Sequence, residues 1–204
     1  MRWTHLMPAD GHSMPWRNGG GTTLELAVDP PGATLATGFR WRLSSAEVAS
    51  SGPFSAFPGM ERCLLLLEGA GFDIDFGPRG RVELREPLAP LLFSGDWPAV
   101  ASLVEGPCTD LNVMWDPRHG RARVEVLRLE GPRSLDLAGA PLLIFVAEGT
   151  VAVPSLGLHL GRRHTLRIED GTGLLAVAAG LAGASLVVAR MGPPPSDPPG
   201  GLSS

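Results

Sequence analysis

Short alternations dominate the hydrophobic pattern of this chain. Leu24, Leu26 and Val28 take turns with Thr23, Glu25 and Ala27; Phe39, Trp41 and Leu43 with Arg40, Arg42 and Ser44; Phe72, Ile74 and Phe76 with Asp73 and Asp75. A period of two belongs to strands with one buried face, because successive side chains point to opposite sides. Further runs at 122–129, 142–147, 150–153, 156–160, 165–168, 174–178 and 185–191 are equally short, alternating or continuously apolar, and bounded by Gly, Pro, Asp or Ser. One helical turn is expected at Ser45–Ala49, with Ser44 or Ser45 as its cap and Glu47 in its first turn. So many short strands with so little helix predict an all-β sandwich or barrel.

The pattern also repeats. Residues 64–77 line up with 144–157, each an apolar strand, a Glu-Gly turn (Glu68-Gly69, Glu148-Gly149), a second strand and a glycine. A later turn follows in both halves, Ser94-Gly95-Asp96 in one and Glu169-Asp170-Gly171 in the other. This is the rhythm of a cupin barrel, in which a strand ends at a Glu-Gly hairpin and a Gly-Asp turn opens another. Two copies predict a bicupin: a first cupin-like barrel over 1–116, a second over 117–191, and few short helices. Residues 192–204, rich in Pro and Gly, suit neither a ladder nor a core and are expected to form a tail.

Composition narrows the function classes. A formal charge of -4 and a pI near 5.7 leave no basic footprint for nucleic acid, and they oppose binding to an anionic membrane. No apolar run reaches the length of a bilayer span, and the first residues lack the apolar core of a signal peptide, so a soluble, cytoplasmic protein is expected. Cys63 opens an apolar run and reads as a small buried hydrophobe, whereas Cys108 in Gly106-Pro107-Cys108-Thr109-Asp110 reads as more exposed. A disulfide between them stays open on sequence alone.

The chemistry present is polar but not metal-binding. His5, His12, His119, His159 and His164 include no His-X-His pair, and arginines and serine stand at 39–44, where a cupin carries its first metal motif. Neither a metal nor another cofactor is expected. No Gly-X-Ser-X-Gly elbow or motif-placed nucleophile occurs. What remains is a polar set on or beside the early strands: Trp16, Arg17, Asn18, Glu25, Arg42, Ser44, Glu47, Arg62, Asp110 and Asn112. The glycines Gly19, Gly20 and Gly21 precede the first alternating strand. Two readings are open for them, a tight entry into that strand and a nest of backbone N–H groups for an anion. A nucleotide loop is excluded, since no Lys-Ser/Thr follows and no strand precedes them.

The candidate pocket therefore comprises Trp16, Asn18, Gly19, Gly20, Gly21, Glu25, Arg42, Ser44, Arg62 and Asn112. Arg42 and Arg62 would grip a carboxylate in bidentate fashion, Asn18 and the glycine amides would donate, Trp16 would form an apolar wall, and Glu25 would accept from an N–H. The competing reading pairs the arginines with Glu25, Glu47 or Glu61 on a solvated face.

These stretches resemble the HutD/Ves family of bacterial bicupin-like proteins. The resemblance rests on residues 15–22 (Pro-Trp-Arg-Asn-Gly-Gly-Gly-Thr) with Glu25, on 39–46, and on 52–62, which lead into Leu67-Glu68-Gly69. Residues 93–96 and 106–114 complete it, so it covers 16–114 in order, and beyond Asp116 only the general β pattern remains. It implies a bicupin without the usual metal, associated with histidine utilisation as a non-enzymatic modulator. The implied ligand is a small acidic metabolite of the N-formylglutamate or urocanate class. A glutamate-based isomerase or hydrolase using Glu25 or Glu47 is the alternative, as is an interaction module docking a regulatory protein partner. Homodimerisation through a sheet edge is open for all three.

Overall fold

The computed structural model describes residues 1–16, 18–138 and 141–193. Arg17, and the expected tail beyond Pro193, lie outside the described residues. The first half runs β1 (Arg2–Leu6), β2 (His12–Pro15), β3 (Gly21–Asp29), β4 (Trp41–Val48), β5 (Gly52–Pro53), β6 (Glu61–Glu68), β7 (Phe72–Asp75), β8 (Arg81–Leu84), β9 (Leu91–Ser94), β10 (Val100–Leu103) and β11 (Cys108–Trp115). The second runs β12 (Arg121–Leu129), β13 (Pro132–Asp136), β14 (Leu142–Val153), β15 (Leu158–Leu160), β16 (Thr165–Asp170) and β17 (Leu174–Gly192). Helical structure among the described residues is confined to 3-10 turns at Pro8–Asp10, Gly77–Arg79 and Pro154–Leu156.

In the first half a six-stranded sheet, β2-β3-β4-β11-β6-β9, faces a four-stranded one, β5-β10-β7-β8. In the second half the sheet is continuous, because β14 and β17 each bend and serve both faces. One part of β17 pairs β12 and the other β13, and β14 pairs β16 with its first residues and β15 with its last. Strand for strand the two halves match: β4 to β11 recur as β12, β13, the two parts of β14, β15, β16 and the two parts of β17. The fold is an all-β bicupin built from one eight-strand unit used twice, with β2 and β3 added to the first copy.

Alternation along these strands divides the apolar residues among three cores. Leu64 and Leu66 on β6, with Val48 and Cys108, point into the first barrel beside Phe72 and Ile74. Their neighbours Cys63, Leu65, Leu43, Leu111 and Val113 point the other way, onto Leu143, Phe145, Val187 and Ala189 of the second sheet. A third core of Leu142, Ile144, Val146, Leu166, Leu186 and Val188 fills the second barrel. Each large side chain so buried contributes about 1.5–3 kcal/mol. The seam also carries charge: Arg167 donates to the Val28 carbonyl at 3.2 Å and lies 4.9 Å over the Trp41 ring, and Arg163 meets Glu68 at 2.8 Å.

Several local expectations change. Residues 45–48 are strand, not a helical turn, because β4 is laddered on both sides by β3 and β11. Phe39 precedes the strand. Glu68-Gly69 does not close a hairpin; it carries the chain across from β6 to β7 in the facing sheet, and Glu148-Gly149 is a bend within β14. In both places the glycine has positive φ, +97° and +75°, and an added Cβ would lie 2.6 Å or less from neighbouring backbone. Cys108 is as buried as Cys63, and both are free thiols. The first strand departs from the expected division at 116/117, since β1 pairs with β16 and covers the edge of the second sheet.

Candidate functional site

The polar residues of the first barrel enter it through register. Arg42 on β4 sits opposite Met114 on β11, which sits opposite Arg62 on β6. One step along come Ser44 and Asn112, then Ala46 and Asp110. All share the inward phase of Leu64 and Leu66, which stand directly opposite Asn112 and Asp110, so the alternation that buries these leucines also turns the polar groups inward.

There they line a cavity of about 480 Å³. Arg42, Ser44, Arg62, Asp110, Asn112 and Met114 form its floor, and Met14, Trp16, Phe54 and Phe57 supply its walls. Leu35, 65% exposed, marks its mouth. Trp16 is fixed by donating from Nε1 to Thr23 Oγ1 at 2.8 Å and by an edge contact with Phe54. Of the ten expected residues, Trp16, Asn18, Arg42, Ser44, Arg62 and Asn112 converge here. Glu25 stands behind Arg42, accepting from its Nε at 2.6 Å.

The three glycines do not line the cavity; they shape its rim. Gly19 takes φ +70°, and a Cβ on Gly21 would fall 2.4 Å from the Glu47 carbonyl and 3.2 Å from the Trp16 ring. The N–H of Gly19 donates to the Trp16 carbonyl and that of Gly20 to Asn18 Oδ1. The expected anion nest is thus corrected for these two amides, whose protons are used inside the loop. Glu47 is exposed.

The floor is short of partners. Arg62, 5% exposed, is stacked among Phe54, Phe57 and Phe93 at 4.8–6.0 Å and donates from Nη1 to the Ser55 carbonyl at 3.3 Å. Its Nε has no partner among the described residues, and neither have Asp110 Oδ1 and Asn112 Oδ1. Burial lowers the Arg62 guanidinium to about 10, assisted by Arg42 and opposed by Asp110, which leaves it charged at neutral pH. Burial raises the Asp110 carboxyl to about 7, against the pull of Arg62 and the Ala46 N–H.

Asp110, which the candidate pocket omitted, is the principal addition. Its signal was its phase: it shares the inward face of β11 with Asn112, but beside Gly106-Pro107 it reads as a turn residue. Among the described residues no three His, Cys, Asp or Glu side chains form a metal-binding group.

The second barrel shows what the fold itself requires at these positions. Strand correspondence places Leu142 where Arg62 stands, Leu186 where Asp110 stands and Val188 where Asn112 stands. All three are buried in an apolar core.

A duplicated barrel of this topology, with polar groups facing inward in one copy where the other carries leucine and valine, defines a cupin-like protein of the two-barrel class. Residues 8–186 match the HutD family model, and the chain belongs to the HutD/Ves family. It is 34% identical over 180 residues to an uncharacterised 21.2 kDa protein in the hutC 3′ region of Pseudomonas putida, covering 84% of this chain and 90% of that one. It is 32% identical over 169 residues to protein Ves of Escherichia fergusonii, covering 78% and 84%. The solved structure of HutD from Pseudomonas fluorescens SBW25, in a formate condition, superposes with a TM-score of 0.78 at 31% identity over 93% of this chain and 99% of that one. Likeness to the bacterial pirin YhhW of Escherichia coli, TM-score 0.64 at 12% identity over 94% of this chain and all of that one, is one of fold alone. No helix among the described residues is long and apolar enough to cross a membrane.

Proposed function

We propose that this protein binds a small carboxylate metabolite, of the N-formylglutamate or urocanate class, in its first barrel and thereby modulates histidine utilisation. The observation that carries the reading is the buried polar floor, with Arg42 and Arg62 flanking Met114 in one row and Arg62 at a position that Leu142 fills in the apolar core of the duplicate barrel. An acid would offer Arg62 Nε the acceptor it lacks, and the aromatic walls would exclude water and strengthen the pairing. The placement of a P. putida relative in the hutC 3′ region supports the pathway. A regulatory protein partner would then read out occupancy.

Thermal unfolding with millimolar histidine, urocanate, N-formylglutamate, glutamate and formate tests this. A ligand at a hundred times its dissociation constant adds about 2.7 kcal/mol of stability. A shift with an acid that Arg62→Ala removes is the expected result; unchanged affinity in Arg62→Ala and Arg42→Ala would overturn it.

One observation favours a second reading. A carboxyl poised near neutrality in a closed cavity suits a general base, but the residue is Asp110, not Glu25 or Glu47. Turnover of any of these acids by purified protein, lost in Asp110→Asn, would establish an enzyme.

A further inference from the structure

We propose that Asp110 and Asn112 make the cavity selective for acids that carry an N–H donor, so that a bare carboxylate of the same outline is rejected. This rests on the reading of the first barrel as a carboxylate site and adds a second recognition element to it.

Three buried polar atoms in the cavity lack partners among the described residues, and they are of two kinds. Arg62 Nε needs an acceptor. Asp110 Oδ1, in the carboxylate form, and Asn112 Oδ1 need donors. A molecule that offers only carboxylates satisfies the first and leaves the other two buried and dry. It also sets its own negative charge against that of Asp110. An acid with an acylamino or azole N–H satisfies both kinds at once. The two acceptors project from the same face of β11 two residues apart, about 7 Å along the strand, while Arg62 lies on the neighbouring strand β6. Donor and acceptor ends of the ligand are therefore separated across the cavity floor rather than crowded at one point.

The neighbours make the demand sharper. Ser45 Oγ donates to the Asp110 backbone carbonyl at 2.8 Å, not to its carboxyl. Arg42 is already committed through Nε to Glu25. Among the described residues the charged groups facing Asp110 are thus Arg62 from β6 and, farther off, the Arg42–Glu25 pair from β4 and β3. Sites built to hydrogen-bond a ligand group reject the analogue that lacks it far more strongly than apolar pockets reject a missing methylene, because the partners are left unpaired. A donor to Asp110 also favours its ionised form, so ligand binding is coupled to proton release near neutral pH.

Calorimetric titration with matched probes tests this. N-formylglutamate is compared with glutarate, which keeps the two carboxylates and loses the formamido group with its N–H; urocanate is compared with furanacrylate, in which oxygen replaces the ring N–H and carbon the second ring nitrogen. The expected result is at least tenfold tighter binding of the N–H member of a pair. Asp110→Asn and Asn112→Val, each checked for folding by circular dichroism, should reduce that ratio severalfold. Binding of the N–H acid at pH 6.5 should release protons, seen as a heat that varies with buffer ionisation enthalpy, and the release should vanish in Asp110→Asn. Equal binding within both pairs overturns the selectivity and leaves the carboxylate site standing. Failure of every acid to bind overturns both.

Discussion

Replacing Asp110 by Asn should stabilise the unliganded protein, and more so as pH rises. Asp110 is fully enclosed, and burial raises its carboxyl from 3.8 to about 7. The folded state thus holds the proton more tightly than the unfolded chain, so this group makes stability fall as pH rises from about 4 to about 7 and level off above. At roughly 1.4 kcal/mol per tenfold difference in proton affinity the whole penalty is about 4 kcal/mol, and the part that develops between pH 5 and 8 is about 2–3 kcal/mol. The carboxyls of Asp75, Asp116 and Asp170 are lowered by hydrogen bonds and titrate below this window. His164 is lowered by burial and by His5, so its contribution rises with pH inside the window and has the opposite sign. The difference between variant and wild type cancels that term. The assay is urea unfolding of both proteins at pH 5, 6, 7 and 8. The gain from Asn should grow across the series by about 2–3 kcal/mol, or about 5–10 °C in Tm for a chain of this size. Parallel curves from pH 5 to 8 would refute the reasoning, since an Asp110 already ionised at pH 5 has no proton left to lose.

Glu25→Gln should destabilise the protein by about 3 kcal/mol, because it leaves the buried Arg42 guanidinium without its carboxylate; a midpoint in urea unchanged within error would show that the pair is solvated. Phe145→Ala should cost about 3–5 kcal/mol, and because Phe145 lies in the core shared by both barrels, unfolding should stay a single transition. Separate loss of one barrel would contradict a common seam. Both cysteines are buried, and burial pushes the Cys63 thiol to about 12. A thiol-reactive disulfide reagent should therefore find no fast-reacting thiol in native protein and two after unfolding.

The fold was legible because its information is local. A period of two survives without knowledge of pairing, and the repeat of Glu-Gly at an interval of eighty residues marks corners where backbone passes close to backbone. What misled was also local. Gly149 and the glycines at 180 and 183 read as strand ends, yet β14 and β17 continue through them, because a bend without a side chain lets one strand serve both sheets. Ser45-Ala46-Glu47 has the composition of a helix start, but pairing on both edges of β4 outweighs so weak a preference. The site was legible in phase and not in register. Alternation placed Glu25 and Arg42 on polar phases, but nothing in the order of residues says that Arg42, Met114 and Arg62 form one row. Nor does it say that the Gly19 and Gly20 protons are spent inside their own loop.

The second barrel turns this polar floor from a curiosity into an argument about function. Both copies share the same eight-strand order, so the barrel fold itself is satisfied by Leu142, Leu186 and Val188 where the first copy has Arg62, Asp110 and Asn112. Leaving a buried polar atom unpaired costs about 1–3 kcal/mol, and a domain's net stability is only about 5–15 kcal/mol. Three such atoms in one cavity are therefore a large fraction of what holds the chain folded, in a position where leucine and valine are known to fit. A core would be simpler and more stable without them. Their partners have to come from outside the described residues, and the proposed ligand, with both an acid and an N–H, would supply all of them at once.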